Sequence, residues 1–308
     1  MYSGKYDISI SNLNFIEGWG ANGVDIFFVL SGFIMAYIQH NKKLSPTNFI
    51  KQRIIRIYPL YFILTIFILL ISIIFPKNLN LGDGAIAIGL HSIASLLFLS
   101  QIVLGKIPIL YDGWTLEYEI LFYLILFLGM MFFKEMKIFI FLIISIFFLV
   151  LFCSLDSIAL EFVIGYFVAI IYNQRMARNN IFSYAMIFLG SILLIFGLFF
   201  SMGSYEIIRQ RALISGVPAA ILIFGLVGVR QAKSGIFTLL GDSSYSIYLT
   251  QVFSIPAFYA AVKYFHLQGL VSGDLLSITC LFSTAICGVL SYFFIERNFI
   301  SRLRMYAA

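Results

Sequence analysis

The amino-acid sequence predicts an all-α, polytopic integral membrane protein, a bundle of helices that crosses the bilayer many times. Of the 308 residues, 61% are hydrophobic and 11% are charged, with a mean hydropathy of +1.00, whereas soluble domains carry about 25% charged residues. The 34 Phe and 18 Tyr are spread along the whole chain, which indicates many spans rather than one anchor. This composition excludes an ordinary soluble enzyme, a disordered tail and a nucleic-acid-binding protein.

Ten apolar stretches approach the length of about 20 residues that a helix needs to cross the hydrocarbon core of a bilayer. In chain order they cover residues 24–39, 57–75, 85–104, 114–133, 138–153, 158–172, 182–201, 212–229, 244–262 and 275–294. The stretch at 85–104 is the doubtful one, because it includes His91, Ser92, Ser95, Ser100 and Gln101.

The charges of the loops favour nine crossings, with 85–104 as an interfacial helix inside an outer loop of residues 76–113. In that arrangement the loop at 40–56 faces the cytoplasm, together with most of the 20 Lys and Arg residues. If 85–104 crossed the membrane, Arg175, Arg178 and the basic residues near the C-terminus would move outside, against the positive-inside tendency. The sequence therefore predicts one membrane domain over residues 1–308, with nine spans and a cytoplasmic C-terminus.

The odd number of spans places the polar residues 1–23 outside, although no signal peptide opens the chain. We therefore expect a tenth helix before residue 1, which would place the N-terminus in the cytoplasm. An integral bundle with short loops and no signal peptide fits a bacterial inner membrane.

The sequence contains no dinucleotide fingerprint, no phosphate-binding glycine loop and no Cys-x-x-Cys motif. Cys153, Cys280 and Cys287 fall within apolar stretches, which indicates packing rather than a disulfide or a metal site. We predict no metal ion and no tightly bound cofactor.

Four acidic residues lie in or beside the predicted spans, where ionisable groups are costly and are therefore functional candidates. Glu117 and Glu161 are interpreted as helix-start carboxylates at the interface, favoured by the helix dipole. Glu119 lies about a turn deeper and shares a helix face with Tyr123 at i+4, which favours a functional role. For Asp25 the sequence leaves a helix cap and a functional role equally open.

A basic cluster, Lys51, Arg53 and Arg56, stands before the second apolar stretch. Arg53 and Arg56 are spaced i and i+3, so both are expected on one face of the helix that enters the membrane. Anchoring to anionic lipid headgroups explains the cluster, and so does a phosphate-binding site for a donor such as coenzyme A. The spacing alone favours anchoring.

A polar stripe of Ser244, Tyr248 and Gln251 follows the i, i+4, i+7 spacing of one helix face. Such a stripe is unfavourable against lipid, so it is expected to face the bundle interior or a water-filled cavity, as a structural network or as a substrate contact. Of the three histidines, His91 is the best candidate for a general base, because it lies among small polar residues on the outer side.

These motifs occur together in one known family: the chain resembles the acyltransferase family 3 membrane proteins, and within them the branch of exopolysaccharide-production O-acetyltransferases. The resemblance covers nearly the whole chain and rests on seven motifs in order. They are GVDIFFVLSGFIM at 23–35, FIKQRIIRIYPLYF at 49–62, DGWTLEYEILFYL at 112–124, LEFVIGYFVA at 160–169, RALISGVPAAILIFGLVG at 211–228, GDSSYSIYLTQ at 241–251 and FFIERNF at 293–299.

The resemblance implies a bundle of about ten helices that transfers an acyl group, commonly acetyl, from cytosolic acyl-CoA to a sugar hydroxyl of an extracytoplasmic or lipid-linked glycan. Acyl-CoA is then a co-substrate rather than a bound cofactor. Arg53 and Arg56 match the family's cytoplasmic basic motif, which makes the phosphate-site interpretation of that cluster, with Lys51, the favoured one. Glu119 matches the Glu of the Trp-Ser/Thr-Leu-x-x-Glu motif that begins at Trp114, and Asp25 matches the Asp of the Gly-Val-Asp motif.

Ser244 and Tyr245 match the family's Ser-Tyr-Ser-x-Tyr-Leu motif, and Gln251 stands where the family usually has a histidine. Glutamine forms hydrogen bonds but does not take up a proton at neutral pH. A second family histidine belongs to the helix that we expect before residue 1. The mechanistic hypothesis is that Arg53 and Arg56 hold the coenzyme A phosphates, while Glu119 and Asp25 orient the acceptor or polarise a catalytic group.

Two alternatives remain from the sequence. A transporter of lipid-linked saccharide would use the buried carboxylates to line its path, but the chain shows no inverted repeat. An inactive or truncated family member would explain the lack of the usual histidines, whereas a member that is active without them would use His91 as the base.

Overall fold

The structure is a computed structural model that describes residues 19–42, 44–74, 85–134, 136–153, 155–173, 180–201, 210–229, 234–268 and 270–307. Within these ranges the chain is helical, and its only β-type pairing is an isolated bridge between Gln268 and Val271. The predicted all-α class is therefore confirmed. Residues 76–84 of the predicted outer loop lie outside the described residues, as do the loop cations Lys43, Arg175, Arg178, Arg230 and Lys233.

We number the α-helices of these ranges in chain order. They are α1 Trp19–Lys42, α2 Pro46–Ile74, α3 Ala85–Leu96, α4 Ser100–Leu104, α5 Gly113–Phe132, α6 Met136–Phe152, α7 Leu160–Asn173, α8 Asn180–Ser201, α9 Val217–Gly228, α10 Ile236–Asp242, α11 Ser244–Tyr264, α12 Gly273–Ser291 and α13 Arg297–Ala307. A 3₁₀ turn, Ser157–Ala159, precedes α7, and π-helical segments precede α9 (Ala212–Gly216) and α13 (Tyr292–Glu296).

Five helical segments are long and apolar enough to cross a membrane: Asn22–Lys42, Pro46–Ser72, Gly113–Phe132, Asn180–Gly197 and Gly273–Arg302. Four shorter apolar helices are Ile86–Leu96, Met136–Phe152, Ser157–Asn173 and Ala212–Gly228. Large apolar side chains such as Ile144, Phe148 and Phe152 of α6 are more than half exposed, as expected for a face that contacts lipid. The count of nine spans stays a prediction.

The chain divides into two compact units, each with its own contacts. The second unit comprises Gly18–Gln52 and Tyr118–Gln231, and its central contact is the crossing of α1 with α7. A side chain at Gly32 would overlap the backbone of Phe162, and one at Gly165 would overlap the backbone of Val29. The two helices approach closely because both positions are glycine, a common arrangement in membrane bundles.

The first unit comprises Arg53–Glu117 and Ala232–Ala308, together with residues 1–17. Tyr61 of α2 stacks on Phe98 with ring centroids 4.4 Å apart, and its hydroxyl donates to the backbone oxygen of Ser95 at 2.8 Å. The Ser95 hydroxyl accepts from the backbone N–H of Ile109 at 2.8 Å. In the same unit, Cys280 packs in a buried apolar cluster with Tyr259, Val262 and Leu276, as its predicted packing role requires.

Two local expectations need correction. The stretch at 85–104 is not one helix but two, α3 and α4, separated at 97–99, where Phe98 has a φ of 58°. The 12 residues of α3 rise by about 18 Å, and its interfacial position stays a prediction. The predicted loop at 40–56 is also shorter than expected, because α2 begins at Pro46 and continues through Pro59, so the cluster at 51–56 lies on the helix that was expected to carry Arg53 and Arg56.

Candidate functional site

A buried carboxylate with two hydroxyl partners lies in the second unit. Ser31 of α1 donates to Glu119 Oε1 at 3.0 Å, and the hydroxyl of Tyr123 donates to the same oxygen. The two hydroxyl oxygens lie 3.3 Å apart. All three residues are buried, at 5% exposure or less. The predicted pairing of Glu119 with Tyr123 across one turn of α5 is therefore present, and Ser31 was not predicted.

A buried ion pair in the same unit holds Asp25. Arg211 donates from Nε to Asp25 Oδ1 at 2.8 Å and from Nη2 to Oδ2 at 3.3 Å. Asp25 is 1% exposed, while the Arg211 side chain is 28% exposed. Since α1 begins at Trp19, Asp25 lies within the helix and does not cap it. Arg211 was missed as a site residue, although it opens one of the seven family motifs.

Glu161 is fully buried at the start of α7. Neither of its carboxylate oxygens has a hydrogen-bond partner within the described ranges. A Cβ atom at Gly216 would come within 2.8 Å of Glu161 Cγ, so this glycine of the π segment makes room for the side chain. The helix-start position was predicted, but the cap of the preceding 3₁₀ turn is Asp156, which accepts from the Ile158 N–H at 3.1 Å.

The three residues of the basic cluster differ in their exposure to solvent. Lys51 and Arg56 are exposed, whereas Arg53 is 8% exposed and lies on the buried face of α2 with Ile57 and Leu60. Both arginines were expected on one face of the helix, and the structure separates them, because only Arg53 lies on the buried face.

Arg56 has an electrostatic partner in the first unit, the buried carboxylate of Glu296. Glu296 also accepts a hydrogen bond of 2.5 Å from Ser246 of α11. Ser246 is fully buried and Ser244 is exposed, so the predicted polar stripe is corrected at its first position. Glu296 belongs to the last of the seven motifs.

The other predicted polar residues of α11 face the segment before α5. Gln251 Nε2 donates to Asp112 Oδ2 at 2.9 Å, and the hydroxyl of Tyr248 lies 3.0 Å from Thr115 Oγ1 and 3.3 Å from the backbone oxygen of Asp112. Tyr245 donates to the backbone oxygen of Ile57 at 2.6 Å.

Asp112 was not predicted as a site residue. It precedes the span that begins at Gly113 and is 6% exposed. Burial raises the pKa of Asp112 to about 6, and the hydrogen bond from Gln251 opposes that rise. Trp114, predicted as part of this network, is half-buried in the first turn of α5.

Glu117 has a structural role. Its Oε1 accepts from the backbone N–H of Ser100 at 2.9 Å, and its Oε2 accepts from those of Gln101 at 2.8 Å and Ile102 at 3.2 Å. A carboxylate is thereby placed on the free N–H groups at the start of α4. Glu117 stabilises the start of a helix, as predicted. That helix is α4, whereas the prediction concerned α5, the helix that contains Glu117.

His91 is buried in α3, at 8% exposure. Its Nε2 lies 2.9 Å from the backbone oxygen of Ile107. Because a carbonyl only accepts, Nε2 is the donor in this hydrogen bond. Nδ1 is buried and has no hydrogen-bond partner in the described part of the chain.

A cavity of about 860 Å³ lies within the second unit, at the C-terminal end of α1. Apolar side chains line most of it, and Gln39, His40 and Lys134 add polar groups. Gln39 accepts from the Tyr166 hydroxyl at 2.6 Å. Across the described residues, no group of three His, Cys, Asp or Glu side chains is placed to hold a metal ion.

Comparison with known proteins gives two matches. A profile of the acyltransferase domain of the acyltransferase 3 family matches residues 1–293. The exopolysaccharide production protein ExoZ of Rhizobium meliloti (strain 1021) is 31% identical over 92% of this chain and 91% of its own length. No solved structure matches.

Proposed function

Since the chain belongs to the acyltransferase 3 family, we propose that it transfers an acyl group, acetyl in the first instance, from cytosolic acyl-CoA to a sugar hydroxyl of an exopolysaccharide or its lipid-linked precursor. The observation that supports this most is Glu119 of the family's motif, buried and bound by the hydroxyls of Ser31 and Tyr123. Buried carboxylates in membrane helices are retained for function, because inserting them is costly.

In the proposed reaction, the oxygen of a sugar hydroxyl attacks the thioester carbonyl carbon. The C–O ester bond forms as the C–S bond breaks, a base takes the hydroxyl proton, and coenzyme A leaves as a thiolate that is then protonated. Glu119 orients the acceptor or polarises a catalytic group, with Ser31 and Tyr123 fixing its own position. His91 is the base that we propose from the described residues, because its Nδ1 has no hydrogen-bond partner among them.

Asp25 has a positioning role in this proposal. The bidentate pair with Arg211 fixes the position of its carboxylate. Glu161 lies in the same cluster, since electrostatic interactions connect it with both partners of the pair.

For the donor, we propose that the exposed cations Arg56 and Lys51 bind the phosphate groups of coenzyme A. Arg53, being buried, positions α2 rather than contacting a phosphate. Replacing Arg56 with Ala is expected to raise the KM for acetyl-CoA about tenfold, with the protein still present in the membrane. The matched control is Lys137→Ala, which removes an exposed cation of α6. An unchanged KM for acetyl-CoA in the Arg56 variant would show that this residue does not bind the donor.

The proposed topology is the nine-span arrangement of a single domain, 1–308, with the 76–113 loop outside and the C-terminus in the cytoplasm of a bacterial cell. The inner membrane is its proposed location. A tag placed after residue 308 should then be cleaved by protease only in inside-out vesicles. A tag in the 76–84 segment should be cleaved only in right-side-out vesicles.

The activity is tested with the gene at its own locus, so that the native product is used. Membranes from wild-type and deletion strains are incubated with [¹⁴C]acetyl-CoA, and label in polysaccharide that mild alkali releases is counted. Acyl transfer predicts label that disappears in the deletion strain. If the protein is a transporter of lipid-linked saccharide, the label should not depend on the gene. The lipid-linked precursor should then accumulate in the deletion strain. An inactive family member predicts neither change.

A further inference from the structure

The side-chain amide of Gln251 has a fixed orientation. Its neighbour Asp112 Oδ2, at 2.9 Å, is a carboxylate oxygen that only accepts hydrogen bonds when ionised. The NH₂ group of Gln251 must therefore face Asp112, which directs the amide oxygen Oε1 to the other side. An acidic partner thus converts an amide that could donate or accept into a directed acceptor.

The surroundings of this amide suit a hydroxyl-bearing ligand. Tyr248 lies about one turn before Gln251 on α11, with its hydroxyl beside Thr115 and the backbone oxygen of Asp112. Tyr248 and Gln251 both remain partly exposed, while Asp112 beneath them is 6% exposed. Tyr111, directly before Asp112, has an aromatic ring that is 56% exposed. Partly exposed hydroxyl and amide groups, as at Tyr248 and Gln251, bind the hydroxyls of sugars, and an exposed aromatic ring, as at Tyr111, binds their apolar faces.

A purely structural role would not require these groups. An apolar pair could join α11 to the segment before α5 without the cost of desolvating a carboxylate and an amide. Among the described residues no charged group offsets that cost, since burial and the Gln251 amide are the main influences on this carboxylate.

We propose that Gln251 and Tyr248 bind a hydroxyl group of the saccharide acceptor, and that Asp112 is the positioning residue that fixes the Gln251 amide. This proposal rests on the proposed function. It assigns an acceptor contact to residues of the first unit, without giving them a step in the bond-making chemistry.

The test separates the KM for the acceptor from the KM for the donor in membranes. The acceptor probe is the strain's own exopolysaccharide after alkaline removal of its ester groups, and the donor is acetyl-CoA. Gln251→Met keeps the side-chain volume and removes the amide. It is expected to raise the acceptor KM about five- to tenfold and to change the donor KM less than twofold. Asp112→Asn frees the amide to rotate and is expected to give a smaller increase in acceptor KM.

A matched control lies one residue away on α11. Thr250→Val removes a hydroxyl that bonds the backbone oxygen of Ser246 at 2.7 Å, and it is expected to leave both KM values unchanged. If Gln251→Met is not recovered in the membrane, Tyr248→Phe becomes the decisive variant. It removes one hydroxyl and keeps the ring, and the same rise in acceptor KM is expected. An acceptor KM unchanged in the decisive variant, or a donor KM that rises equally, would overturn the proposal. Absence of transfer by the wild type would instead contradict the proposed function.

Discussion

Glu117 and Glu119 are two residues apart on α5, yet their carboxylates have opposite kinds of partner. In the first unit, Glu117 accepts three backbone N–H groups from the start of α4, so its bonds maintain the path of the chain. In the second unit, Glu119 accepts two side-chain hydroxyls from Ser31 and Tyr123. Backbone donors can be replaced only by refolding, whereas hydroxyls can rotate and exchange protons. The type of donor, rather than burial, distinguishes a structural carboxylate from a chemical one.

The largest expected effect follows from Glu119→Gln, which keeps the size of the side chain and removes its charge. Acyl transfer is expected to fall about 1,000-fold, because a neutral amide no longer polarises a base. The amount of protein in the membrane should stay close to that of the wild type. The measurement is [¹⁴C]acetyl transfer per unit of immunodetected protein. Transfer within about twofold of the wild type would remove Glu119 from the chemistry.

For Glu117 the expected effect is on stability. Glu117→Ala leaves three N–H groups at the start of α4 without their acceptor, and should lower the free energy of unfolding by about 3 kcal/mol. Glu117→Gln keeps one acceptor oxygen and should lose less. Thermal unfolding of the detergent-solubilised protein measures both changes. If transfer per folded molecule also fell as far as in Glu119→Gln, the contrast between the two carboxylates would be lost.

A smaller effect is expected for the ion pair of Asp25 in the second unit. Arg211→Met leaves a buried carboxylate without its cation, which should cost about 2 kcal/mol of stability, since Arg211 is partly exposed and solvent screens the pair. Asp25→Asn in the same chain should restore part of the loss, because the uncompensated charge is gone. A double-mutant cycle on thermal unfolding measures the coupling. Additive losses would show that the pair contributes little to stability.

The smallest expected effect is a pH dependence carried by Asp112 in the first unit. Its pKa is raised to about 6 by burial, and its contacts Gln251, Tyr248 and Thr115 carry no charge near that pH. Below about pH 6 the protonated carboxyl can donate, so it no longer fixes the Gln251 amide. The acceptor KM should therefore fall as pH rises from about 5 to about 7. The same kinetic series with Asp112→Asn should be flat over this range.

The sequence predicted those features that depend on local spacing. The helical class follows from composition, and the pairing of Glu119 with Tyr123 follows from the i, i+4 geometry of a helix. The structural role of Glu117 was anticipated in kind, because acidic residues near a helix start compensate free N–H groups. The partner of Glu117 could not be anticipated, because the position of the start of α4 depends on how the chain turns at Leu99.

Pairs distant in the chain could not be predicted from one sequence. Asp25 and Arg211 meet only because α1 packs against the segment before α9, and Asp112 meets Gln251 only because α11 packs against the start of α5. The burial of Arg53 also could not be predicted. The apolar residues of α2 are spread around the helix, so their pattern does not indicate which side faces protein.

The π segments at Ala212–Gly216 and Tyr292–Glu296 bear on which insertions and deletions the gene tolerates. A π segment equals an α-helix with one residue inserted. Loss of a single codon within 212–216 would leave α9 intact but turn Arg211 by about 100° relative to it. The same deletion within 292–296 would rotate α13 relative to α12. At these two segments, the number of residues therefore determines the direction of a charged side chain as strictly as the type of residue does.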